Sequence, residues 1–185
     1  MKKIISKEDF IKNKKHFYKQ IKHGSIFIYP TDTIYGIGCI SANKKSIQKI
    51  RKIKQRATKP FSIIVPSKEW ILKNCKESKN LKQYLKNLPG NYTLILELKN
   101  KTLSPNKNLE TIGIRIPKHW ISKLVKEINI PIITTSVNIS NEPYMTSLKN
   151  INLKKKEQVD FIINEGKLDN KPSKVINLIT NKRVR

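Results

Sequence analysis

The stretch from residue 25 to residue 38, SIFIYPTDTIYGIG, constrains the fold more than any other part of the sequence. Residues 25–29 are β-forming residues between a glycine and a proline, which is typical of a short buried strand. Residues 30–36 are rich in hydroxyl groups and are interrupted by proline and glycine. Ligands usually bind outside the carboxyl ends of strands in an α/β sheet, so this stretch predicts a binding loop. The alternative is an ordinary strand and turn with incidental threonines.

The rest of the chain alternates apolar patterns of helical and strand spacing, which predicts an α/β (α+β) fold with about seven strands. The predicted helices cover residues 7–23, 43–54, 67–75, 78–88 and 121–128, and the predicted strands cover residues 25–29, 61–65, 92–98, 111–117, 131–135, 159–163 and 173–179. Residues 37–40 could continue the first of these strands.

The charge of the chain is strongly positive, with 39 Lys and Arg against 13 Asp and Glu, a net charge of +26. Such a field attracts polyanions, including nucleotides, tRNA and other RNA. Lysine carries most of it, and Lys, Asn and Ile are abundant throughout the sequence, so a general compositional bias would explain the charge equally well. The 185 residues are enough for one domain with one good core.

Cysteine usage and hydropathy point to a cytoplasmic protein. Cys39 and Cys75 lack the spacing of metal ligands, and two cysteines in a chain of this size do not make a disulfide framework. The N-terminus lacks the apolar core of a signal peptide. No apolar run approaches the roughly 20 residues that span a bilayer, so we expect no membrane partner.

Two clusters of polar residues are candidates for anion binding. Lys54 and Arg56 lie where a predicted helix ends before a strand, and could clamp a triphosphate. A basic helix end favoured by the helix dipole is the alternative. The hydroxyl and amide groups of residues 134–143 suit phosphate or carboxylate binding, although the segment could be a common Ser/Asn turn. Arg115, within a strand, either faces water or meets an anion, whereas His119 alone suggests a cap or a surface residue.

Several segments resemble, in order, the motifs of the YrdC-like family, the threonylcarbamoyl-AMP synthases. They are YPTDTIYGIG at 29–38, KQR at 54–56, PGNYT at 89–93, TIGIRIP at 111–117, SVNISNEP at 136–143, SKVIN at 173–177 and RVR at 183–185. The resemblance implies one YrdC-like domain over residues 1–185, in the short form without a C-terminal extension. It also implies a twisted mixed β-sheet flanked by helices, with a concave basic cleft.

The resemblance further implies an enzyme that makes threonylcarbamoyl-AMP and pyrophosphate from L-threonine, bicarbonate or CO2, and ATP. The product would serve N6-threonylcarbamoylation of adenosine 37 in tRNA, through a separate transferase complex. The implied ATP-binding residues are Lys54, Arg56, Thr111, Ser136, Asn138, Ser173 and Arg185, and the implied threonine-binding residues are Thr31, Thr33, Arg115 and Thr134. Magnesium is expected on the phosphates, without a protein metal site, and catalysis is expected to rest on substrate positioning alone.

Besides Asn91 for a proline and Asn177 for an aspartate, three positions depart from the family pattern: Ala57 stands for a proline, Val137 for an alanine and Asn141 for a glycine. They leave open a degraded synthase. The main rival function is a non-enzymatic RNA-binding protein acting in rRNA or ribosome maturation, which the positive charge favours. The sequence contains no RNP, KH or zinc-knuckle pattern, but direct contact with tRNA or other RNA remains an expectation.

Overall fold

A computed structural model describes residues 4–106, 109–138, 143–151 and 157–184. The helices in these ranges are α1 (Lys7–Lys12), α2 (Lys14–Lys22), α3 (Lys44–Ile53), α4 (Lys68–Asn74), α5 (Leu81–Lys86) and α6 (Ile121–Ile128). The strands are β1 (Ile4–Ser6), β2 (Phe27–Tyr29), β3 (Gly36–Gly38), β4 (Ser62–Ile64), β5 (Tyr92–Glu97), β6 (Thr111–Arg115), β7 (Ile132–Ser136), β8 (Phe161–Asn164), β9 (Lys174–Asn177) and β10 (Lys182–Arg183). Among the described residues, no helix is both long enough and apolar enough to cross a membrane.

The strands form one sheet in the order β1-β8-β2-β3-β7-β4-β6-β5-β9-β10. Four neighbouring pairs are parallel, namely β1–β8, β2–β8, β4–β6 and β5–β9, and the other five are antiparallel. The mixed sheet and the α/β class are therefore confirmed. The predicted number of about seven strands was too low, since the described part of the chain contains ten.

The three strands that the pattern missed are very short. β1 and β3 have three residues each and β10 has two, so none is long enough to show alternation. Two of the three residues of β3 are glycines, which are depleted in strands. The expectation that residues 37–40 could continue the first strand was wrong, because β3 turns back and pairs antiparallel with β2. Residues 30–35 are consequently a loop between two adjacent strands of the sheet.

Both faces of the sheet are covered, as the apolar pattern of β2 requires. Phe27 and Tyr29 belong to an apolar cluster with α1, α2 and α6. Ile26 and Ile28 belong to a second cluster, with α3. Successive side chains of a strand point to opposite faces, so a strand that is apolar at every position must be covered on both sides. A third cluster packs α4 and α5 against β5 and β6.

Strands β3 and β7 approach each other closely at Gly38. A Cβ atom at this position would lie 1.9 Å from the carbonyl oxygen of Ile133, closer than real Cβ atoms come to other atoms. The hydroxyl of Tyr29 donates a hydrogen bond of 3.0 Å to the same oxygen. The absence of a side chain at Gly38 therefore lets β7 pair with β3 beside the loop of residues 30–35.

We expect Gly38→Ala to lower the free energy of unfolding by about 1–3 kcal/mol or more, because the backbone of β7 would have to move. Denaturant unfolding followed by circular dichroism measures this change. Gly36→Ala is the comparison, since its Cβ would meet only the ring of Tyr29 at 3.1 Å, and a smaller loss is expected. Equal stability of Gly38→Ala and the wild type would contradict the close approach.

Candidate functional site

A cavity of about 610 Å³ opens beside β7 and the loop of residues 30–35. Its lining comes from strands β3 to β7 and β9 and from the loops at residues 31–35, 56–61 and 172–173. The volume lies within the range of clefts that enclose a small-molecule ligand. Eight of the residues that the sequence assigned to ligand binding line this cavity: Thr31, Thr33, Arg56, Thr111, Arg115, Thr134, Ser136 and Ser173. The fold thus brings together side chains from one end of the sequence to the other.

Of the other three assigned residues, Lys54 and Asn138 are not among those that line the cavity. Lys54 is buried, and its ammonium group donates to the backbone oxygens of Ser136 and Asn138. Asn138 in turn accepts a hydrogen bond from the hydroxyl of Ser136. Arg185 lies outside the described residues, as does Asn141, one of the three departures from the family pattern. Lys54 and Asn138 therefore both contact Ser136, which lines the cavity.

Arg115 is the most buried cation of the cavity lining. β6 lies between β4 and β5, so Arg115 is at the end of an interior strand, and only 8% of its side chain is exposed. Its Nη2 lies 2.8 Å from Oδ1 of Asp32 and 3.3 Å from the hydroxyl of Thr33. The sequence left open whether Arg115 faces water or meets an anion. Because its side chain is buried, the first of these alternatives is wrong.

Asp32 is a residue of the site that the sequence reasoning missed. Besides binding Arg115, its carboxylate accepts a 2.9 Å hydrogen bond from the backbone N–H of Lys118. The only sequence signal was a carboxylate within a hydroxyl-rich loop. Because one carboxylate joins the loop after β2 to the end of β6, it fixes the direction in which the Arg115 guanidinium points.

The hydroxyl groups of Thr31 and Thr33 are held by the loop itself. The Thr31 hydroxyl donates to the carbonyl oxygen of Ile34 at 2.7 Å and accepts from the backbone N–H of Thr33 at 3.1 Å. The two hydroxyl oxygens lie 3.0 Å apart. These contacts order a loop that carries no regular secondary structure, so both threonines line the cavity from a fixed backbone.

Two arginines organise the loop of residues 56–60, which forms another side of the cavity. The guanidinium of Arg56 donates to the carbonyl oxygens of Lys59 and Pro60, at 3.1 and 2.6 Å, and to the hydroxyl of Thr135 at 3.3 Å. Arg51, in the last turn of α3, donates to three carbonyl oxygens of this loop, each at 3.2 Å. Its guanidinium also lies over the ring of Phe61, 4.5 Å from the ring centre.

The environment of the Arg56 guanidinium favours the binding of an anion. Burial lowers the pKa of the Arg56 guanidinium, and the nearby charge of Arg51 lowers it further. Both effects disfavour the charged form, and an anion bound beside Arg56 would offset them. The cavity is therefore electrostatically suited to a phosphate or carboxylate ligand.

A second cavity of about 540 Å³ meets the first at Thr31, and Asp32, His119 and Glu165 line it. The imidazole Nε2 of His119 lies 2.8 Å from Glu165 Oε2, and the indole N–H of Trp120 donates to the same oxygen at 3.0 Å. The ammonium of Lys7 binds the other carboxylate oxygen at 2.7 Å. The expectation of a cap or surface role for His119 missed this contact, because Glu165 is 46 residues away in the sequence.

No group of three or more His, Cys, Asp or Glu side chains that could hold a metal ion occurs within the part of the chain that the structure describes. Cys39 and Cys75 are both buried, and burial raises the pKa of each thiol to about 12. Neither thiol is therefore a nucleophile at neutral pH.

Comparison with known proteins agrees with the motifs of this cavity. The family model Sua5_yciO_yrdC, described as telomere recombination, matches residues 19–185. The chain belongs to the Sua5/YciO/YrdC family. The resemblance that the sequence motifs indicated is thereby confirmed.

Members of the Sua5/YciO/YrdC family with curated names include two close relatives. A protein of Methanocaldococcus jannaschii, provisionally named a threonylcarbamoyl-AMP synthase, is 37% identical over 86% of this chain and 77% of its own length. The threonylcarbamoyl-AMP synthase of Buchnera aphidicola subsp. Acyrthosiphon pisum is 30% identical over 89% of this chain and 98% of its own length.

Among solved structures of the family, Sua5 of P. abyssi complexed with L-threonine superposes with a TM-score of 0.78. The sequence identity is 25%, and the match covers 95% of this chain and 54% of the Sua5 chain. The chain thus spans about half the length of that Sua5 protein.

The stability of the fold should depend on the protonation of His119. Burial lowers the pKa of its imidazole, although the Glu165 carboxylate opposes this effect. A histidine with a lowered pKa contributes stability above its ordinary pKa of about 6.5, and that stability is lost as the pH falls through the folded-state pKa. We therefore expect the wild type to lose more unfolding free energy than His119→Asn between pH 7.5 and pH 5.

Denaturant unfolding at both pH values measures this difference. His16→Asn is the matched control, because His16 is exposed, and it should follow the wild type. An identical pH dependence of the wild type and His119→Asn would contradict the assigned environment of the imidazole.

Proposed function

We propose that the chain is a threonylcarbamoyl-AMP synthase, a nucleotidyltransferase that forms threonylcarbamoyl-AMP and pyrophosphate from L-threonine, bicarbonate or CO2, and ATP. The observation that carries the proposal is the shared cavity of eight assigned polar residues, which include the buried Arg115. The names of the M. jannaschii and Buchnera relatives support the activity. The L-threonine complex of P. abyssi Sua5 supports the amino-acid substrate.

The threonine end of the site would lie at Arg115. Its planar guanidinium matches the geometry of a carboxylate better than an ammonium group does. Thr31, Thr33 and Thr134 would supply partners for the amine and the β-hydroxyl of the substrate. A site that hydrogen-bonds a substrate hydroxyl rejects analogues without it, because the buried partner would be left unpaired.

The ATP end would lie toward Arg56, Ser136 and Ser173. Arg56 lines the cavity next to the hydroxyl groups of β7, and its guanidinium group carries several N–H donors in one plane. Thr111 and Ser173 line the same cavity. Magnesium is proposed as the counter-ion of the triphosphate. The phosphates would then hold the magnesium ion, in place of a cluster of protein carboxylates.

The chemistry needs positioning and charge neutralisation more than a covalent intermediate. The neutral amine of threonine attacks the carbon of CO2, a C–N bond forms, and the amine loses a proton to give a carbamate. If bicarbonate is the donor, its C–OH bond breaks and the hydroxyl leaves with the proton of the amine as a molecule of water. A carbamate oxygen then attacks the α-phosphorus of ATP, an O–P bond forms, and pyrophosphate departs with its electron pair. Arg115 and Arg56 would hold the two reactants in line.

The RNA-binding alternative is not favoured. Its support is the overall charge of +26, which a lysine-rich composition would also produce. The volume of the cavity instead suits small molecules. The proposal has four further parts. The product would be delivered to a tRNA-modifying transferase complex, and the chain would contact tRNA directly. The chain would be cytoplasmic, and residues 1–185 would form a single domain.

Incubation of the chain with ATP, L-threonine, bicarbonate and Mg²⁺ should yield threonylcarbamoyl-AMP and pyrophosphate, because attack falls on the α-phosphorus. Mass spectrometry detects the adenylate, and a coupled assay detects the pyrophosphate. Reactions without threonine or without bicarbonate are the controls.

Release of ADP and phosphate would contradict the proposal, since it would mean attack on the γ-phosphorus. Absence of adenylate together with RNA binding that persists at physiological salt would favour the rival function, because purely electrostatic binding weakens steeply with salt.

Arg115→Lys should weaken threonine binding by roughly 10- to 100-fold, the loss expected for a charge-assisted hydrogen bond that an ammonium cannot replace. ATP affinity should change by less than about twofold. Isothermal titration calorimetry measures both. Lys118→Ala, which removes an exposed cation near the site and keeps the backbone N–H that binds Asp32, should leave both affinities unchanged. Wild-type threonine affinity in Arg115→Lys would remove this residue from the threonine site.

A further inference from the structure

Asn106 is a buried polar residue that the ligand-binding assignments do not include. It belongs to the loop of residues 98–110, which connects β5 to β6 and which we call the β5–β6 loop. Only 3% of the residue is exposed. A side-chain amide has an oxygen that accepts and a nitrogen that donates, and its burial is costly unless both find partners. The partners of this amide therefore indicate what the residue contributes to the fold.

Both ends of the Asn106 amide bind the backbone of Phe61. Its Oδ1 accepts from the Phe61 N–H at 2.7 Å, and its Nδ2 donates to the Phe61 carbonyl oxygen at 2.9 Å. Phe61 directly precedes β4, and the registers of β4 with β6 and with β7 both begin at Ser62. The amide therefore takes the place of a strand partner for a residue that these registers do not include.

Asn106 is itself held in position by its own loop. The hydroxyl of Ser104 donates to the backbone carbonyl oxygen of Asn106 at 3.1 Å and accepts from its backbone N–H at 3.2 Å. An asparagine side chain is short, so a fixed backbone limits the positions that its amide can reach. The β5–β6 loop thus presents the amide to Phe61 in one orientation.

Arg51 joins the β5–β6 loop to the loop of residues 56–60. Its Nη2 donates to Oδ1 of Asn106 at 3.3 Å, and its Nη1 donates to the three carbonyl oxygens of residues 56–60 described above. A guanidinium can hold acceptors from two segments at once, because its donors lie in one plane. Both loops are thereby tied to the last turn of α3.

Phe61 connects these contacts to the cavity. Phe61 lines the cavity, whereas Asn106 is not among the lining residues. The guanidinium groups of Arg51 and Arg56 lie over the Phe61 ring, 4.5 and 5.3 Å from its centre. An aromatic face attracts a cation placed over it, so the position of the ring influences the position of both guanidinium groups. A shift of the Phe61 backbone would therefore change the cavity wall at the ATP end.

We propose that Asn106 is a positioning residue for ATP, which acts by holding the backbone of Phe61 in the cavity wall. This inference rests on the proposed function for the identity of the ligand. Threonine affinity should be nearly independent of Asn106, because the hydrogen bonds of its amide go to Phe61 and Arg51 and not to the threonine end of the site.

Hydrogen exchange of the chain without ligand tests the hold on Phe61. In Asn106→Ala, the backbone amide of Phe61 loses its acceptor and should exchange roughly tenfold faster. The backbone amide of Val65, which donates to the carbonyl oxygen of Arg115 at 3.1 Å, should exchange as in the wild type. Equal acceleration of both amides would indicate general destabilisation and would overturn the proposal, as would unchanged exchange of the Phe61 amide.

Calorimetric titration tests the effect on the ligand. The ATP dissociation constant of Asn106→Ala should rise about tenfold, while that of threonine should change less than about twofold. Asn100→Ala is the matched control, because Asn100 is an exposed residue of the same loop that binds Thr102, and it should keep both wild-type affinities. Unchanged ATP affinity in Asn106→Ala, or equal losses for ATP and threonine, would overturn the proposal.

These measurements separate the inference from the proposed function. A wild type that binds ATP but makes no adenylate would contradict the proposed function alone, because neither exchange nor titration depends on turnover. A wild type that does not bind ATP would contradict both. An active wild type whose ATP affinity survives Asn106→Ala would contradict the inference alone.

Asn106→Ser keeps the test decisive if Asn106→Ala does not fold. Its shorter side chain keeps one oxygen at this position and lacks the amide nitrogen that donates to Phe61. The Phe61 amide should exchange faster and ATP affinity should fall, each by a smaller factor than in Asn106→Ala, while threonine affinity stays the same. Wild-type behaviour of Asn106→Ser in either the exchange of Phe61 or the binding of ATP would overturn the proposal.

Discussion

The position of β7 in the sheet determines where the site can form. This strand is hydrogen-bonded to β3 on one side and to β4 on the other, antiparallel to both. It therefore joins the part of the sheet that contains β2 and β8 to the part that contains β5 and β6. Its last three residues, 134–136, line the cavity between the loops that follow β2 and α3. The missing side chain of Gly38 makes this central pairing sterically feasible.

Arginine and lysine have different uses in this chain. Three of the five arginines, Arg51, Arg56 and Arg115, lie around the cavity, and each contacts at least two acceptors. A guanidinium can bridge several acceptors in a fixed plane, which suits the ordering of a loop or the recognition of a planar anion. Most lysines instead carry the general positive charge at the surface. Because lysine is so abundant in this sequence, an arginine indicates a residue near the cavity better than a lysine does.

The sequence allowed most regular elements to be predicted, because buried strands and amphipathic helices leave a local apolar pattern. The helix predicted over residues 7–23 is interrupted at Asn13, which follows α1 and precedes α2. Hydroxyl-rich loops after β2 and β7 were also visible, and the family motifs assigned their roles. The contacts of Asp32, Arg51 and Glu165 could not be predicted, since each depends on which distant segments the fold brings together. The contacts of the Lys54 ammonium group were hidden for the same reason.

The pairing of β1 with β8 has a consequence for synthesis of the chain on the ribosome. Ile4 is opposite Ile162 in this pair, and β2 also pairs with β8. Almost nine tenths of the chain, 162 of 185 residues, must therefore emerge before the first strand can find its partner. Contacts of such long sequence separation form slowly, because loop-closure entropy opposes them. Until β8 emerges, the apolar edges of the nascent N-terminal strands are open to chaperones and to other chains.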